Sequence, residues 1–174
     1  MLSEVTWSEK FGEDTFQIHC DIKGKTFLMI IDEGSLSNLA STYVVEKYGL
    51  ETVEHPHPYQ LRGNDDHDAI LVTRRVLVPF SVGRYEDEVV CDVVPLHASH
   101  VVIGKPWVEG RGAAYDEKKK RYKFHFDNRR IQLVCLSREQ MDEGRAYMRK
   151  QFEAREVKME VEVRDEKKEV ELRK

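Results

Sequence analysis

The chain has 174 residues, 40% of them hydrophobic and 34% charged, and its 28 basic and 32 acidic side chains give a formal net charge of −4. This length holds one domain with a real core plus a flanking segment, and hardly two full domains. The charge balance argues against a polybasic nucleic-acid surface, and no apolar run approaches the roughly 18 residues that a membrane helix needs.

The opening stretch Met1 to Thr6 lacks the basic start and unbroken apolar run of a signal peptide, so the expected location is intracellular and cytoplasmic. Residues 1–15 read as an N-terminal linker. Cys20, Cys91 and Cys135 are odd in number and far apart, which fits reduced, mostly buried thiols rather than a disulfide framework or paired zinc knuckles. From Phe16 to Val134, short runs of branched and aromatic residues separated by turn signals predict an all-β or mainly β domain. Phe16 to Cys20 alternates, Gly24-Lys25 turns, and Phe27-Leu28-Met29-Ile30-Ile31 is apolar on both faces, as a central strand would be. That strand runs straight into Asp32, and an ionised group at the end of a buried strand is costly unless it is hydrogen-bonded or functional.

Ser41 to Tyr48 reads as a short helix, with Ser41 as N-cap and Gly49 just past the end. His55-Pro56-His57-Pro58 must be extended, because each proline disfavours helix in the residue before it. Tyr59 to Leu61 and Ile70 to Val72 flank the polar stretch Arg62-Gly63-Asn64-Asp65-Asp66-His67-Asp68, which predicts a hairpin whose exposed tip could serve as a lid. Arg75 to Val82 and Glu88 to Val94 are two further strands, and Val101-Val102-Ile103-Gly104 is a second buried run ending in glycine. Lys105-Pro106-Trp107 suits a helix start, and Tyr122 to Phe126 with Ile131 to Val134 makes a closing hairpin about Asp127-Asn128. From Ser137 the chain becomes a charged tail in which Met141, Tyr147, Met148 and Phe152 are spaced like one helix face. Beyond it Val157, Met159, Val161 and Val163 alternate with charged residues, which fits an exposed strand or a segment that orders only against a partner.

Hydrolysis by acid and base without a metal or a covalent intermediate needs two carboxylates that share one proton. One acts as general base on a water, and the other, protonated, donates to the scissile carbonyl. The chain offers one such loop: Asp32, Glu33, then Gly34 to allow a sharp turn and Ser35 to bring a hydroxyl near the carboxylate. Asp-x-Gly is common by chance, and an ordinary strand-to-turn corner accounts for it equally well.

The wider context is more specific. Ile30-Ile31-Asp32-Glu33-Gly34-Ser35-Leu36-Ser37-Asn38-Leu39-Ala40-Ser41, followed by Val44-Val45-Glu46-Lys47-Tyr48-Gly49-Leu50, resembles the retropepsin-like aspartic protease region of Ty3/gypsy retrotransposon polyproteins, most closely those of plants. His55 to Tyr59 resembles the lead-in to the flap, Val76 to Gly83 the strands behind it, and Cys91 to Trp107 the second signature, in which Val102, Ile103 and Gly104 precede a helix. The resemblance covers residues 16–137. It implies a retropepsin-like closed β-barrel with a flap hairpin, one or two short helices and a charged C-terminal extension. The protease domain would be residues 16–136, and residues 137–174 a linker toward a downstream polyprotein domain. It further implies a homodimeric aspartic endopeptidase that processes a Gag-Pol polyprotein. Each subunit would supply a catalytic Asp32 on the loop Glu33, Gly34 and Ser35, and Arg62, Gly63, Asn64 and Asp65 of the flap would close over an extended peptide. No cofactor or metal, no nucleic acid and no membrane enters this scheme. The alternative is a catalytically inactive retropepsin-like dimerisation or peptide-binding module.

Two residues depart from the family pattern. The residue after the aspartate is usually threonine or serine, whose hydroxyl braces the partner loop; here it is Glu33. If it faces the two-fold axis, four carboxylates crowd together, which predicts a weakened dimer and a low optimum pH or no activity. Lys105 stands where many retropepsins carry arginine, and lysine cannot make the same bidentate brace. Elsewhere, His97, His100 and Cys91 lack a fourth ligand for a zinc site and read as polar loop residues before a strand and a buried thiol. His55 and His57 read as solvated, His19 and His125 as surface-facing, and Lys118 to Arg121 as a charged loop.

Overall fold

The computed structural model describes residues 2–9, 15–63 and 69–172. In chain order these form β1 (Ser3–Thr6), β2 (Phe16–Ile22), β3 (Lys25–Ile31), β4 (Leu39–Ser41), α1 (Thr42–Lys47), β5 (Thr52–Arg62), β6 (Ile70–Val82) and β7 (Tyr85–Val94). There follow β8 (Val101–Ile103), α2 (Lys105–Arg111), β9 (Ala114–Asp116), β10 (Arg121–Phe126), β11 (Arg129–Val134) and α3 (Arg138–Leu172). Six strands close a ring in the order β6-β2-β3-β8-β4-β7 and back to β6. The domain is therefore mainly β and its centre is a closed barrel, which leaves the ring strands without an open edge. β5 and β1 extend from the far half of β6, and β9, β10 and β11 form a separate small sheet. Among the described residues no helix is long and apolar enough to cross a membrane.

Strand periodicity divides the interior in two. Phe27, Met29 and Ile31 of β3 enter the main apolar cluster and Ile30 enters a second; on β8, Val101 and Ile103 join the first and Val102 the second. Successive side chains of a strand point to opposite faces. β8 and the Phe27–Ile31 part of β3 are thus apolar because both faces are buried there, each large side chain contributing about 1.5–3 kcal/mol. The hairpin joining β2 to β3 turns through Lys23 and Gly24 at φ 50° and 78°, and that joining β10 to β11 through Asp127 and Asn128 at φ 52° and 60°. These left-handed pairs match the twist of the strands they connect. α1 starts where the sequence places it, with Ser41 Oγ accepting the Tyr43 N–H at 3.2 Å.

Three expectations need correction. β6 is one continuous strand rather than two, because Arg74 at the expected break stays paired with Glu54 and reaches Thr52 O at 2.9 Å. His55 is buried rather than solvated: the irregularity between Glu54 and Tyr59 in β5 turns its ring inward, where Nε2 lies 3.2 Å from Asp92 Oδ1. The tail after Phe152 is neither strand nor unordered but continues α3 to Leu172. Its valines alternate, yet the intervening residues are Glu, Lys and Arg, which favour helix, and the helix is already nucleated by its packed first half. In that half Met141 and Met148 are buried and Phe152 meets His97, ring centroids 4.2 Å apart.

His100 stands in the loop just before β8, as the sequence places it, yet is 3% exposed in the fold. Its N–H donates to Leu28 O at 3.0 Å while its Nδ1 accepts the Leu28 N–H at 3.0 Å, so one residue satisfies both polar groups of the β3 backbone where β8 has not yet begun. Nε2 lies 3.2 Å from Gln151 Oε1 on α3. Burial pushes the imidazole down to about 4 from its usual 6.5, outweighing the Gln151 contact, and Arg155 and Lys47 push the same way. The folded state thus binds fewer protons than the unfolded chain between these values, and stability falls as pH drops from about 6.5 to about 4, by on the order of 3 kcal/mol. His100→Asn, whose Oδ1 can take the place of Nδ1, is expected to flatten that slope in urea unfolding between pH 7 and pH 4.5.

Candidate active site

Asp32 is the first residue beyond β3, and β8 fixes where it stands. The two strands pair in parallel with Ile31 opposite Ile103. The ladder then continues one step, with the Asp32 N–H donating to Ile103 O at 2.9 Å. Here the chain turns. The Ser35 N–H donates to Asp32 O at 3.0 Å, and the Gly34 N–H donates to Asp32 Oδ1 at 2.9 Å. Ser35 Oγ donates to Ser37 O at 2.7 Å rather than to the carboxylate, and Ser35 O accepts the Lys105 N–H at 2.9 Å. The carboxyl of Asp32 is therefore held at a corner that is stitched on one side to β8 and on the other to the start of α2.

Gly104 lies directly under this crossing. A Cβ at that position would collide with Ser35 O and stand 2.9 Å from Ser37 O. Its N–H is taken by Asn38 Oδ1 at 2.9 Å, and the Asn38 carbonyl accepts the Asp92 N–H at 2.8 Å. Asp92, 3% exposed, in turn accepts from Tyr59 Oη at 2.6 Å and from Arg75 Nε at 3.2 Å. One hydrogen-bonded chain thus joins the second glycine signature, the loop after Asp32 and the base of the β5–β6 hairpin. Val102 and Ile103, fully buried, carry no polar function; they seat the strand that positions Gly104.

Asp32 is 6% exposed, and its second oxygen accepts from Trp7 Nε1 at 3.4 Å. Glu33 is exposed and does not stand alone: Tyr122 Oη donates to Glu33 Oε2 at 3.0 Å. Burial, and then the Glu33 carboxylate, push the Tyr122 phenol well above its ordinary range, so it remains a proton donor. Between them lies a cavity of ≈ 250 Å³ walled by Phe16, Ile31, Asp32, Glu33, Tyr115 and Tyr122, among others. Within one chain Glu33 is thus drawn to Tyr122. Lys105 faces solvent and pairs loosely with Glu109 at 3.7 Å, a contact of little energetic weight.

The expected flap hairpin is present, with Tyr59 opposite Val72, Gln60 opposite Leu71 and Leu61 opposite Ile70. Arg62 and Gly63 close its described part, and Asn64 and Asp65 lie outside the described residues. Arg62 O accepts the Trp7 N–H at 3.0 Å, and Arg62 Nε donates to Glu4 Oε1 at 2.8 Å. The segment read as a linker therefore reaches the site. Its alternation of Val5, Trp7 and Glu9 with Glu4, Thr6 and Ser8 was the available signal. Tyr122 and Asn38 carried no comparable signal, since their partners come from 89 and 66 positions away.

No family model and no curated protein matches the chain. Among solved structures it is similar to the retroviral protease-like domain of Ddi1 from Leishmania major, with a TM-score of 0.51 at 12% identity over 73% of this chain and 97% of that one. The fold is retropepsin-like. In this retropepsin-like barrel the crossing over Gly104 leaves no room for a side chain, and the opposing atoms are backbone. Gly104→Ala is expected to cost about 2–3 kcal/mol in urea unfolding, because the loop after Asp32 must lift.

Proposed function

We propose that the chain is one subunit of an aspartic-type endopeptidase, the protease segment of a plant Ty3/gypsy-type retrotransposon Gag-Pol polyprotein, acting in the cytoplasm. The observation that carries this reading is Asp32, buried at the end of a central strand, with its Oδ1 fixed by the Gly34 N–H and its loop crossing Gly104. One chain supplies one such carboxylate, so the chemistry requires a second copy whose Asp32 faces the first across a two-fold axis.

In that pair the two carboxyls share one proton. The ionised one takes a proton from water as the water oxygen bonds to the scissile carbonyl carbon, and the protonated one donates to the carbonyl oxygen. The tetrahedral adduct collapses when the amide nitrogen receives a proton and the C–N bond breaks. An extended peptide would be gripped through strand pairing on the outer side of β5, and that this side already pairs with a strand, β1, supports the mode of recognition. Cleavage of a broad peptide library at several pH values is the test. Hydrolysis that is blocked by a statine-type transition-state mimic and lost in Asp32→Asn is the expected result. A folded dimer that cleaves nothing at any pH would instead assign an inactive peptide-binding module.

Glu33 offers no hydroxyl to brace the partner loop. Glu33→Thr is expected to tighten the dimer in sedimentation equilibrium, and an unchanged dimer constant would show that the brace is unimportant here.

A further inference from the structure

Residues 3–9 lie on the ground that a bound peptide would need. β1 pairs in parallel with the flap strand β5, Ser3 opposite Tyr59 through Thr6 opposite Arg62, and the ladder is continued by the Trp7 N–H on Arg62 O. Strand alternation turns Val5, Trp7 and Glu9 inward and leaves Glu4, Thr6 and Ser8 exposed. Val5 and Trp7 pack on the second apolar cluster, which includes Tyr59 and Leu61 of the flap and Ile30 and Val102 beside the active loop. The Trp7 indole donates to Asp32 Oδ2 at 3.4 Å. Two positions on, Glu9 Oε1 accepts the N–H groups of His97 at 2.7 Å and Ala98 at 2.9 Å. Consecutive backbone amides aimed at one point make a receptor for an anion. The carboxyl is desolvated there: burial raises its pKa by more than the two amides lower it.

We propose that this cleft accepts one extended strand of the pattern apolar-x-aromatic-x-acidic, and that its resident occupant is the chain's own residues 3–9, which must leave before a peptide of that pattern enters in trans. This rests on the reading of the cleft as a peptide site. The β5 edge takes one partner on its outer side, so resident and incoming strands exclude one another. Trp7 meets Asp32 through its indole N–H, while its backbone N–H goes to Arg62 O. The pair of amides at His97 and Ala98 selects an acidic residue, and the apolar walls beside Asp32 select a large aromatic one two positions earlier.

The test uses the full chain and a fluorescein-labelled peptide of sequence Leu-Ser-Glu-Val-Thr-Trp-Ser-Glu, followed by fluorescence anisotropy. The chain carrying both Trp7→Ala and Glu9→Gln is expected to bind this probe roughly tenfold tighter than the unaltered chain, with each single variant between them. A probe in which the tryptophan and the last glutamate are alanine should bind neither. Equal probe affinity in the unaltered and doubly altered chains, or equal binding of the two probes, would overturn the proposal. Glu9 belongs to neither apolar cluster, so Glu9→Gln gives the readout even if Trp7→Ala proves unstable in a thermal melt. Peptide hydrolysis measured alongside separates the two readings. Probe binding gained without any cleavage supports the strand site and removes the endopeptidase, whereas cleavage with unchanged probe binding keeps the endopeptidase and removes the resident strand.

Discussion

The passage of the Ser35–Ser37 backbone over Gly104 is the constraint on which the rest of the site depends. It exists because β3 and β8 run parallel in register, so that the residues following Ile31 and Ile103 emerge side by side at one end of the barrel. Parallel strands cannot be joined by a tight turn, and here the intervening chain forms β4, the flap and β7 before β8 returns. The two ends of β8 are treated differently. At the start, His100 completes the pairing with Leu28 through its ring; at the finish, Gly104 gives up its side chain so that the loop can cross. Between these ends, three residues buried on both faces leave the strand nowhere to slide, because a one-residue shift would exchange its two apolar clusters.

Much of this was legible in the sequence. The both-faced apolar runs ending at Asp32 and Gly104, the capped helix after Ser41 and the turns at Gly24 and Asp127-Asn128 are local patterns with local causes, and the structure has each of them. The polar network was not legible. Asp92 sits in a strand whose alternation would allow it to face solvent, yet it collects Tyr59, Arg75 and the neighbourhood of His55 from other strands. Nothing within a few residues of Asp92, His55 or His100 announces that burial, since it depends on which strands become neighbours. The tail differs for the opposite reason: a local period of two is overridden by helix-forming composition and by a helix already anchored on the barrel.

Glu33 shows how the same residue can read differently in sequence and in space. Beside Asp32 it suggests like-charge crowding at an axis. In the folded chain a buried tyrosine from the small sheet donates to it, so its charge is partly met within the subunit. Tyr122 thus gives the Glu33 carboxylate a hydroxyl partner within its own chain. That bond fixes the orientation of the carboxylate, not the identity of the residue it would meet across an interface.

Occupation of the cleft by residues 3–9 needs no great intrinsic affinity. A segment tethered to its own site competes at an effective concentration on the order of millimolar, so a four-residue ladder, one indole bond and one captured carboxylate are enough to hold it against dilute peptide. The same arithmetic makes the occupant easy to displace by a peptide with better contacts, or by any process that removes the tether. The contacts lie on three elements: the ladder on β5, the indole on Asp32 and the carboxylate on the turn before β8. A strand held at three separate elements ties β5, the residue after β3 and the turn before β8 to one another.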